Sequence, residues 1–114
     1  MRQVAEARIE PLSGAVFLIL LSLSDSPRHG YALMKEVESL SGGRVHLSTG
    51  TLYGALRRLL DESWIERFEQ SDTSRDKQAY RLTILGRGRL QSDVERIRQL
   101  TKAAAARLRL SENA

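Results

Sequence analysis

The sequence contains no cysteine, and this absence removes a set of chemistries. Disulfide bonds, thiolate metal sites and cysteine nucleophiles are all excluded. Histidine is nearly as scarce, because only His29 and His46 occur, and neither stands in a motif with the spacing of metal ligands. His29 is better placed to cap a helix or to meet a phosphate. We therefore expect no metal and no cofactor.

A long hydrophobic run is also missing. The longest apolar stretch, "AVFLILLSL" at residues 15–23, is too short for a membrane span, which needs about 20 residues. It also lacks the cleavage site and the arginine-rich flank of a signal peptide. We expect a soluble, cytoplasmic protein without a membrane partner, in which this run forms a helix buried on most sides.

Catalytic motifs are missing as well, since the sequence shows no nucleophile–base pair, glycine-rich phosphate loop or paired-carboxylate motif. We expect that the protein is not an enzyme. Positive charge, by contrast, is in excess: 18 Lys and Arg residues outnumber 14 Asp and Glu residues, which gives a net charge of +4 over 114 residues. A chain of this length forms about one domain. Its basic balance favours a polyanionic partner, such as nucleic acid or an acidic membrane surface.

Apolar periodicity and turn residues predict the order helix, helix, short strand, helix, hairpin, long helix. The predicted helices cover residues 11–23, 29–40, 48–62 and 83–110. The predicted strands cover residues 44–48, 64–70 and 78–84. Pro11 is expected to open the first helix, and the "SGG" at 41–43 to end the second. The polar segment 71–77 is expected to form a charged hairpin tip.

Three helices followed by a β-hairpin are the arrangement of a winged helix-turn-helix. We therefore predict a mainly α fold with a small β-hairpin wing, followed by a long C-terminal dimerisation helix. In this interpretation residues 1–84 form a winged helix-turn-helix DNA-binding domain. Residues 85–110 form the dimerisation helix, and residues 111–114 a disordered tail.

The long terminal helix carries side chains at alternating steps of four and three residues, which is typical of a coiled-coil seam. The members of this seam are Leu90, Val94, Ile97, Thr101, Ala104 and Leu108. We expect them to form a homodimer interface, to which the apolar first helix contributes Phe17. The same seam could instead pack within one monomer, although so long a helix extends beyond what a small domain covers.

The third predicted helix raises a question, because Gly50 and Gly54 interrupt its leucine pattern. Each glycine in a helix interior costs about 1 kcal/mol relative to alanine. On a helix of 3.6 residues per turn the apolar side chains share one face; these are Leu52, Ala55, Leu56 and Leu59. Both glycines fall on the opposite, exposed face. The side chains on that face are those of Arg57 and Asp61, and those beside it are Thr51, Tyr53 and Arg58.

A bare, exposed helix backbone lets another surface approach closely, and the side chains around it suit the major groove of DNA. Arginine reads guanine O6 and N7, threonine meets the thymine methyl group, and hydroxyl groups bind phosphate oxygens. The first helical turn adds free N–H groups suited to phosphate. The alternative is a solvated face without function, but Arg75 and Lys77 in the wing favour DNA binding.

Three segments resemble the PadR family of bacterial transcriptional regulators: "HGYALMKEV" (29–37), "STGTLYGALRRLLDESWIER" (48–67) and "YRLTILGRGRL" (80–90). With the terminal helix, the resemblance covers nearly the whole chain, and its short C-terminal region resembles the subfamily with a single dimerisation helix. The resemblance implies a homodimeric repressor of an inverted-repeat operator in double-stranded DNA. A small-molecule effector that releases the operator is a further partner that the family allows.

Carried over by position, the resemblance implies DNA contacts from the start of the third helix, from the second helix and from the wing. The residues at these positions are Ser48, Thr49, Thr51 and Tyr53, then Tyr31 and Lys35, and finally Arg75 and Lys77. Four positions depart from the family pattern. Gly54 stands where proline is common, Ser63 where glycine is usual, and Gln78 and Ala79 where a more basic and aromatic pair is usual. The terminal helix contains no aromatic residue, so stacking of flat drugs there is not expected unless Phe17 contributes.

A second interpretation is a winged helix that binds another protein rather than DNA. It predicts little salt-dependent affinity for DNA and no sequence preference. A recognition face without basic residues would support it, and the pair Arg57 and Arg58 is evidence against it.

Overall fold

The computed structural model describes residues 10–68 and 78–109. The helices are α1 (Gly14–Ser22), α2 (Gly30–Leu40), α3 (Thr49–Asp61) and α4 (Ile84–Leu108), and the strands are β1 (Arg28–His29), β2 (Ile65–Phe68) and β3 (Ala79–Leu82). The predicted winged helix-turn-helix with a long final helix is confirmed. The expected hairpin tip with Arg75 and Lys77 lies outside the described residues, as does the tail at 111–114. The division of the chain at residue 84 stays a prediction.

The first helix begins later than its sequence predicts. The predicted start at Pro11 is wrong, because Ser13 takes the N-cap position of α1 and its hydroxyl accepts a hydrogen bond from Val16 N at 3.2 Å. A serine that satisfies a first-turn N–H is a strong helix start. The expectation that the apolar run is largely buried is confirmed, since Ile19 and Leu20 are fully buried.

The short strand also lies elsewhere than predicted. The strand expected at 44–48 is wrong, because this segment forms none, and Val45 N instead donates to Ser41 Oγ at 2.9 Å. A strand forms at β1, which pairs antiparallel with β3, so the sheet has the order β1-β3-β2. The pairing sets Arg28 opposite Tyr80, and Arg28 Nε donates to Ser22 O at 2.7 Å. Two residues are too few to show an alternating pattern, so the sequence does not predict this strand.

One hydrophobic core joins α1, α2, α3, the sheet and the first part of α4. Its largest members are Ile19, Leu20, Leu23, Leu33, Val37, Leu52, Leu56, Leu59, Ile65, Tyr80 and Leu90. Because α4 has 25 residues, it is about 37 Å long at roughly 1.5 Å per residue, and its second half extends past these core residues. Within residues 10–68 and 78–109, none of the helices combines the length and the apolar character needed to cross a bilayer.

Candidate nucleic-acid interface

A pair of hydroxyl groups holds the first turn of α3. Ser48, at the N-cap, accepts a hydrogen bond from Thr51 N at 3.1 Å, and its Oγ donates to Thr51 Oγ1 at 2.9 Å. The first bond satisfies one of the N–H groups that a helix start leaves unpaired. Because the two side chains share a hydroxyl–hydroxyl bond, only one of their two hydroxyl hydrogens is left to donate to a ligand. Thr49 is exposed beside them.

The inward and outward faces of α3 agree with the predicted pattern. The apolar residues are buried; these are Leu52, Ala55, Leu56 and Leu59. On the outward face, a Cβ atom added to Gly50 or Gly54 would meet nothing within 4 Å. Arg57 and Arg58 are exposed, and neither forms an ion pair with another described residue. The outward face of α3 therefore has bare backbone at Gly50 and Gly54, followed by exposed guanidinium groups and, at the end of the helix, the exposed carboxylate of Asp61. The bare backbone and the guanidinium groups suit a negatively charged groove.

Tyr53, on one shoulder of this outward face, lies against the start of α2. A Cβ atom on Gly30 would fall 2.2 Å from Tyr53 Oη and 2.9 Å from Cζ, so any other residue at this position would require the Tyr53 ring to shift. The residue remains 44% exposed. Burial and the nearby Tyr53 raise the pKa of the Tyr80 hydroxyl, while Arg67 opposes the rise. Tyr53 therefore fixes how α3 packs on α2, a contact that sequence spacing does not reveal.

The first half of α2 brings two more of the expected DNA-contacting residues to the surface. Tyr31 is 70% exposed, and Lys35 Nζ lies 5.4 Å from the centre of its ring. Both residues line a cavity of about 250 Å³. The other residues that line it are Met34, Glu38, His46 and Leu47. A cation over an aromatic ring, next to a helix start, places positive charge and a phenol donor where a phosphate could bind.

The two histidines lie in separate surroundings. His29 occupies the N-cap position of α2, but its side chain makes no capping hydrogen bond, and its Nδ1 is buried without a partner among the described residues. His46 Nδ1 lies 3.5 Å from Glu38 Oε2. In the part of the chain that the structure describes, no group of three or more His, Asp or Glu side chains is arranged to hold a metal ion.

Hydrogen bonds connect the end of α3 to the start of α4 through the base of the wing. Trp64 N donates to Leu59 O at 3.0 Å, and Thr83 N donates to Trp64 O at 3.1 Å. Thr83 also caps α4, because its Oγ1 donates to Ser63 O at 2.7 Å and accepts from Gly86 N at 2.9 Å. Ser63 has a φ of 64°, a conformation that glycine adopts without steric cost. This positive φ accounts for the glycine that the family resemblance leads us to expect there.

The predicted seam on α4 divides into a buried and an exposed part. Leu90 is 5% exposed and belongs to the core of its own monomer, and Val94 and Phe17 are partly buried against that core. The exposed members of the seam are Ile97, Thr101, Ala104 and Leu108. Leu100, which is 57% exposed, extends this surface although it falls outside the predicted spacing. Leu90 therefore offers almost no side-chain surface to a partner, because the monomer already covers it.

Asp93 is a buried charge on the same part of α4. It is 2% exposed, and its carboxylate accepts hydrogen bonds from Arg96 Nε at 3.1 Å and from Leu12 N at 3.4 Å. Burial raises the pKa of Asp93, but these hydrogen bonds and the charges of Arg96 and Arg89 outweigh it and leave the pKa below its ordinary value. Asp93 thus ties the segment before α1 to α4.

Comparison with known proteins finds relatives by sequence. The family described as the transcriptional regulator PadR-like family matches residues 19–92. A curated relative, an uncharacterized 37.1 kDa protein in transposon TN4556 of Streptomyces fradiae, is 36% identical over 87 residues, which are 76% of this chain. The chain spans only 24% of the length of that relative.

Solved structures are similar as well. A PadR family transcription regulator from Clostridium difficile superposes with a TM-score of 0.70 at 23% identity, over 84% of this chain and 99% of that one. A PadR family regulator from Eggerthella lenta gives 0.64 at 27% identity, over 84% and 82%. Bacillus subtilis PadR in complex with operator DNA gives 0.59 at 24% identity, over 68% and 44%. All three share the fold of this chain.

Proposed function

Since this chain belongs to the PadR-like family of transcriptional regulators, a family of DNA-binding proteins rather than enzymes, we propose that it is a homodimeric repressor. Its ligand is an inverted-repeat operator in double-stranded DNA, and it acts in the cytoplasm. The observation that carries this proposal is the outward face of α3, where Gly50 and Gly54 leave the backbone bare beside the exposed Arg57. The operator-bound relative from Bacillus subtilis supports the choice of ligand.

In this proposal α3 enters the major groove with its bare strip toward the bases. Without side chains at Gly50 and Gly54, the helix backbone approaches the base edges, and Arg57 reaches guanine O6 and N7. Thr51 and Tyr53 add to base discrimination. The positions that bind the phosphate walls on either side are Ser48, Thr49 and Arg58.

The second helix and the wing supply the remaining contacts. Tyr31 lies in the first turn of α2 and Lys35 lies in the middle of the helix, and both bind phosphate oxygens. Arg75 and Lys77 of the wing tip contact phosphates or the minor groove. Each phosphate that these residues neutralise adds to affinity and to its dependence on salt.

The homodimer forms through the exposed part of α4. Ile97, Leu100 and Leu108 are 37%, 57% and 66% exposed on one helix, and an apolar stripe of this kind suits contact with a second copy of the chain. We place the interface from Val94 to the end of the helix, within the segment 85–110 that follows the DNA-binding domain at 1–84. Two-fold symmetry then sets the two α3 helices about one turn of DNA, roughly 34 Å, apart.

An effector would act on the angle between the two halves of this dimer, because a ligand shifts only an equilibrium between states that it binds differently. α4 contains no aromatic residue. We therefore propose that any effector binds without stacking on an aromatic side chain of α4.

Selection from a random duplex library at near-physiological salt tests the proposal. The protein should enrich an inverted repeat whose half-sites lie about one helical turn apart. Arg57→Ala should abolish the enrichment of one guanine position, whereas Arg107→Ala, which removes an exposed arginine near the end of α4, should leave the motif unchanged. A folded protein that enriches no motif would contradict the proposal and would favour a winged helix that binds protein.

A further inference from the structure

The first turn of α4 rests directly on the backbone that precedes β2. A Cβ atom on Gly86 would lie 1.9 Å from Trp64 O, 2.8 Å from Trp64 C and 3.0 Å from its Cα. These are backbone atoms, so no side-chain rotation can relieve the overlap. Gly88 lies two residues further along the same helix, and a Cβ atom there would meet nothing within 4 Å. The need for glycine is therefore specific to Gly86 and does not apply to the helix start in general.

Thr83 holds the same contact through all of its polar atoms. Its N–H donates to Trp64 O, and its hydroxyl donates to Ser63 O and accepts from Gly86 N. Its carbonyl accepts from Arg87 N at 2.9 Å. Two of these four bonds go to the connection between α3 and β2, and two go to α4. Thr83 is thus a bridge between the two elements, and none of its polar groups is left for solvent.

Trp64 continues this bridge to α3. Its N–H donates to Leu59 O in the last turn of α3 at 3.0 Å, and Leu59 is itself only 2% exposed. The guanidinium of Arg89 lies 5.4 Å from the centre of the Trp64 ring. A continuous path of backbone contacts therefore runs from the buried side of α3, through Trp64 and Thr83, to the first turn of α4.

We propose that Gly86 and Thr83 are positioning residues that fix the angle between α3 and α4. Through this angle they set the spacing of half-sites that the protein accepts. The inference rests on the proposed function, since only a dimer on an inverted repeat converts the angle into a spacing. A tilt of about 5° at one end of a helix roughly 37 Å long moves the other end by about 3 Å. That displacement is close to one base-pair step of roughly 3.4 Å.

The experiment measures the affinity of the full-length protein for duplexes that carry the selected inverted repeat with a series of spacers, and for a duplex with one half-site. Wild type and Gly88→Ala should prefer the same spacer. Gly86→Ala and Thr83→Val should lose about tenfold or more on that spacer, or prefer another, and should stay within about twofold of wild type on the single half-site. Thr83→Ser keeps both hydrogen bonds of the hydroxyl group and should keep the wild-type spacer preference.

The possible outcomes separate the inference from the proposed function. If folded Gly86→Ala and Thr83→Val prefer the wild-type spacer and bind it with wild-type affinity, the inference is overturned and the proposed function stands. Equal losses on the half-site and on the full operator would show a merely structural role and would also overturn the inference. If wild type prefers no spacer, the proposed function fails, and the inference fails with it. Circular dichroism checks folding, and Thr83→Val decides alone if Gly86→Ala does not fold.

Discussion

The missing side chain of a glycine has a different consequence at each position along this chain. At Gly30 it makes room for the phenol of Tyr53, and at Gly86 it makes room for backbone atoms of Trp64. At Gly54 nothing in the described monomer occupies the space. A helical glycine without such a neighbour lowers helix stability. Because Gly54 lies on the outward face of α3, which we propose enters the major groove, we expect the benefit of its missing side chain at the DNA surface.

Gly54→Ala should therefore act in opposite directions on stability and on binding. The unfolding free energy should rise by up to about 1 kcal/mol, because alanine favours the helix and its Cβ meets nothing. Operator affinity should fall about tenfold, or roughly 1.4 kcal/mol, because the methyl group separates the backbone from the groove. Thermal melting and binding titrations measure the two effects.

Gly88→Ala is the matched control for this substitution, since its Cβ position is equally open and lies on α4. It should stabilise the protein to a similar extent and leave binding unchanged. A Gly54→Ala protein that gains stability and keeps its affinity would show that the bare strip does not approach DNA closely.

Ser63→Gly should stabilise the protein by up to about 1 kcal/mol. Ser63 has a φ of 64°, a conformation that costs an L-residue about 1–2 kcal/mol and that glycine adopts without this cost. The larger conformational entropy of glycine in the unfolded chain offsets part of the resulting stabilisation. Urea unfolding measures the change. Ser39→Gly, at an exposed position inside α2, should destabilise instead, because its backbone is right-handed helix. A destabilised Ser63→Gly would contradict the assignment of strain to this residue.

At the scale of elements, the sequence predicts those helices and strands that are long enough to show a periodic pattern of apolar residues. The leucine pattern and the Ser48 cap place α3 to within one residue, and the same pattern identifies its buried face. The sequence does not predict the strand at Arg28–His29, because two residues show no alternating pattern and the partner Tyr80 is distant in sequence. The sequence does not predict the contact of Gly86 with Trp64 either, since only the folded backbone brings these two residues together.

The attachment of the N-terminal segment to α4 should weaken in acid. Asp93 has a folded-state pKa below its ordinary value, so it stabilises the fold above an unfolded pKa of about 3.9, and this contribution is lost as pH falls through the folded pKa. At pH 7, Asp93→Asn should lower the unfolding free energy by about 1–3 kcal/mol. The difference from wild type should shrink as the pH is lowered below about 4.

Urea unfolding over a range of pH measures this effect. Asp61→Asn, which changes an exposed aspartate of α3, is the control and should change stability by no more than about 0.5 kcal/mol at any pH. A constant difference between Asp93→Asn and wild type from pH 7 down to pH about 2 would show that the carboxylate charge does not contribute.

At the scale of the whole molecule, the spacing of apolar residues along α4 does not say which of them the monomer itself covers. Leu90 and Ile97 share one predicted seam, yet Leu90 is 5% exposed and Ile97 is 37% exposed. The spacing of the apolar residues identifies one face of the helix. How far the core of the monomer extends along that face determines which of these residues are exposed to a partner. The proposed dimer interface can therefore be placed on α4 only once the fold is known.

Ile97→Glu should convert the proposed dimer to monomers, because a charge replaces an apolar side chain at the first exposed position of the seam. Affinity for the full operator should fall by about 10²-fold or more, since the gain from two linked half-sites is lost. Sedimentation gives the mass, and titration with the operator gives the affinity. Gln91→Glu adds the same charge to an exposed position of α4 outside the seam and should remain dimeric. An unchanged mass for Ile97→Glu would contradict this interface.

The pairing of β1 with β3 also bears on how the chain folds during synthesis. Arg28 of β1 lies opposite Tyr80 of β3, and α2 and α3 come between these two strands in the sequence. The two strands can therefore pair only late in translation. Contacts of such long sequence separation form slowly, because the loop between them must first be closed. A nascent chain that ends before β3 therefore has α3 without the complete three-stranded sheet. Operator binding should begin only once the ribosome has released the segment that leads into α4.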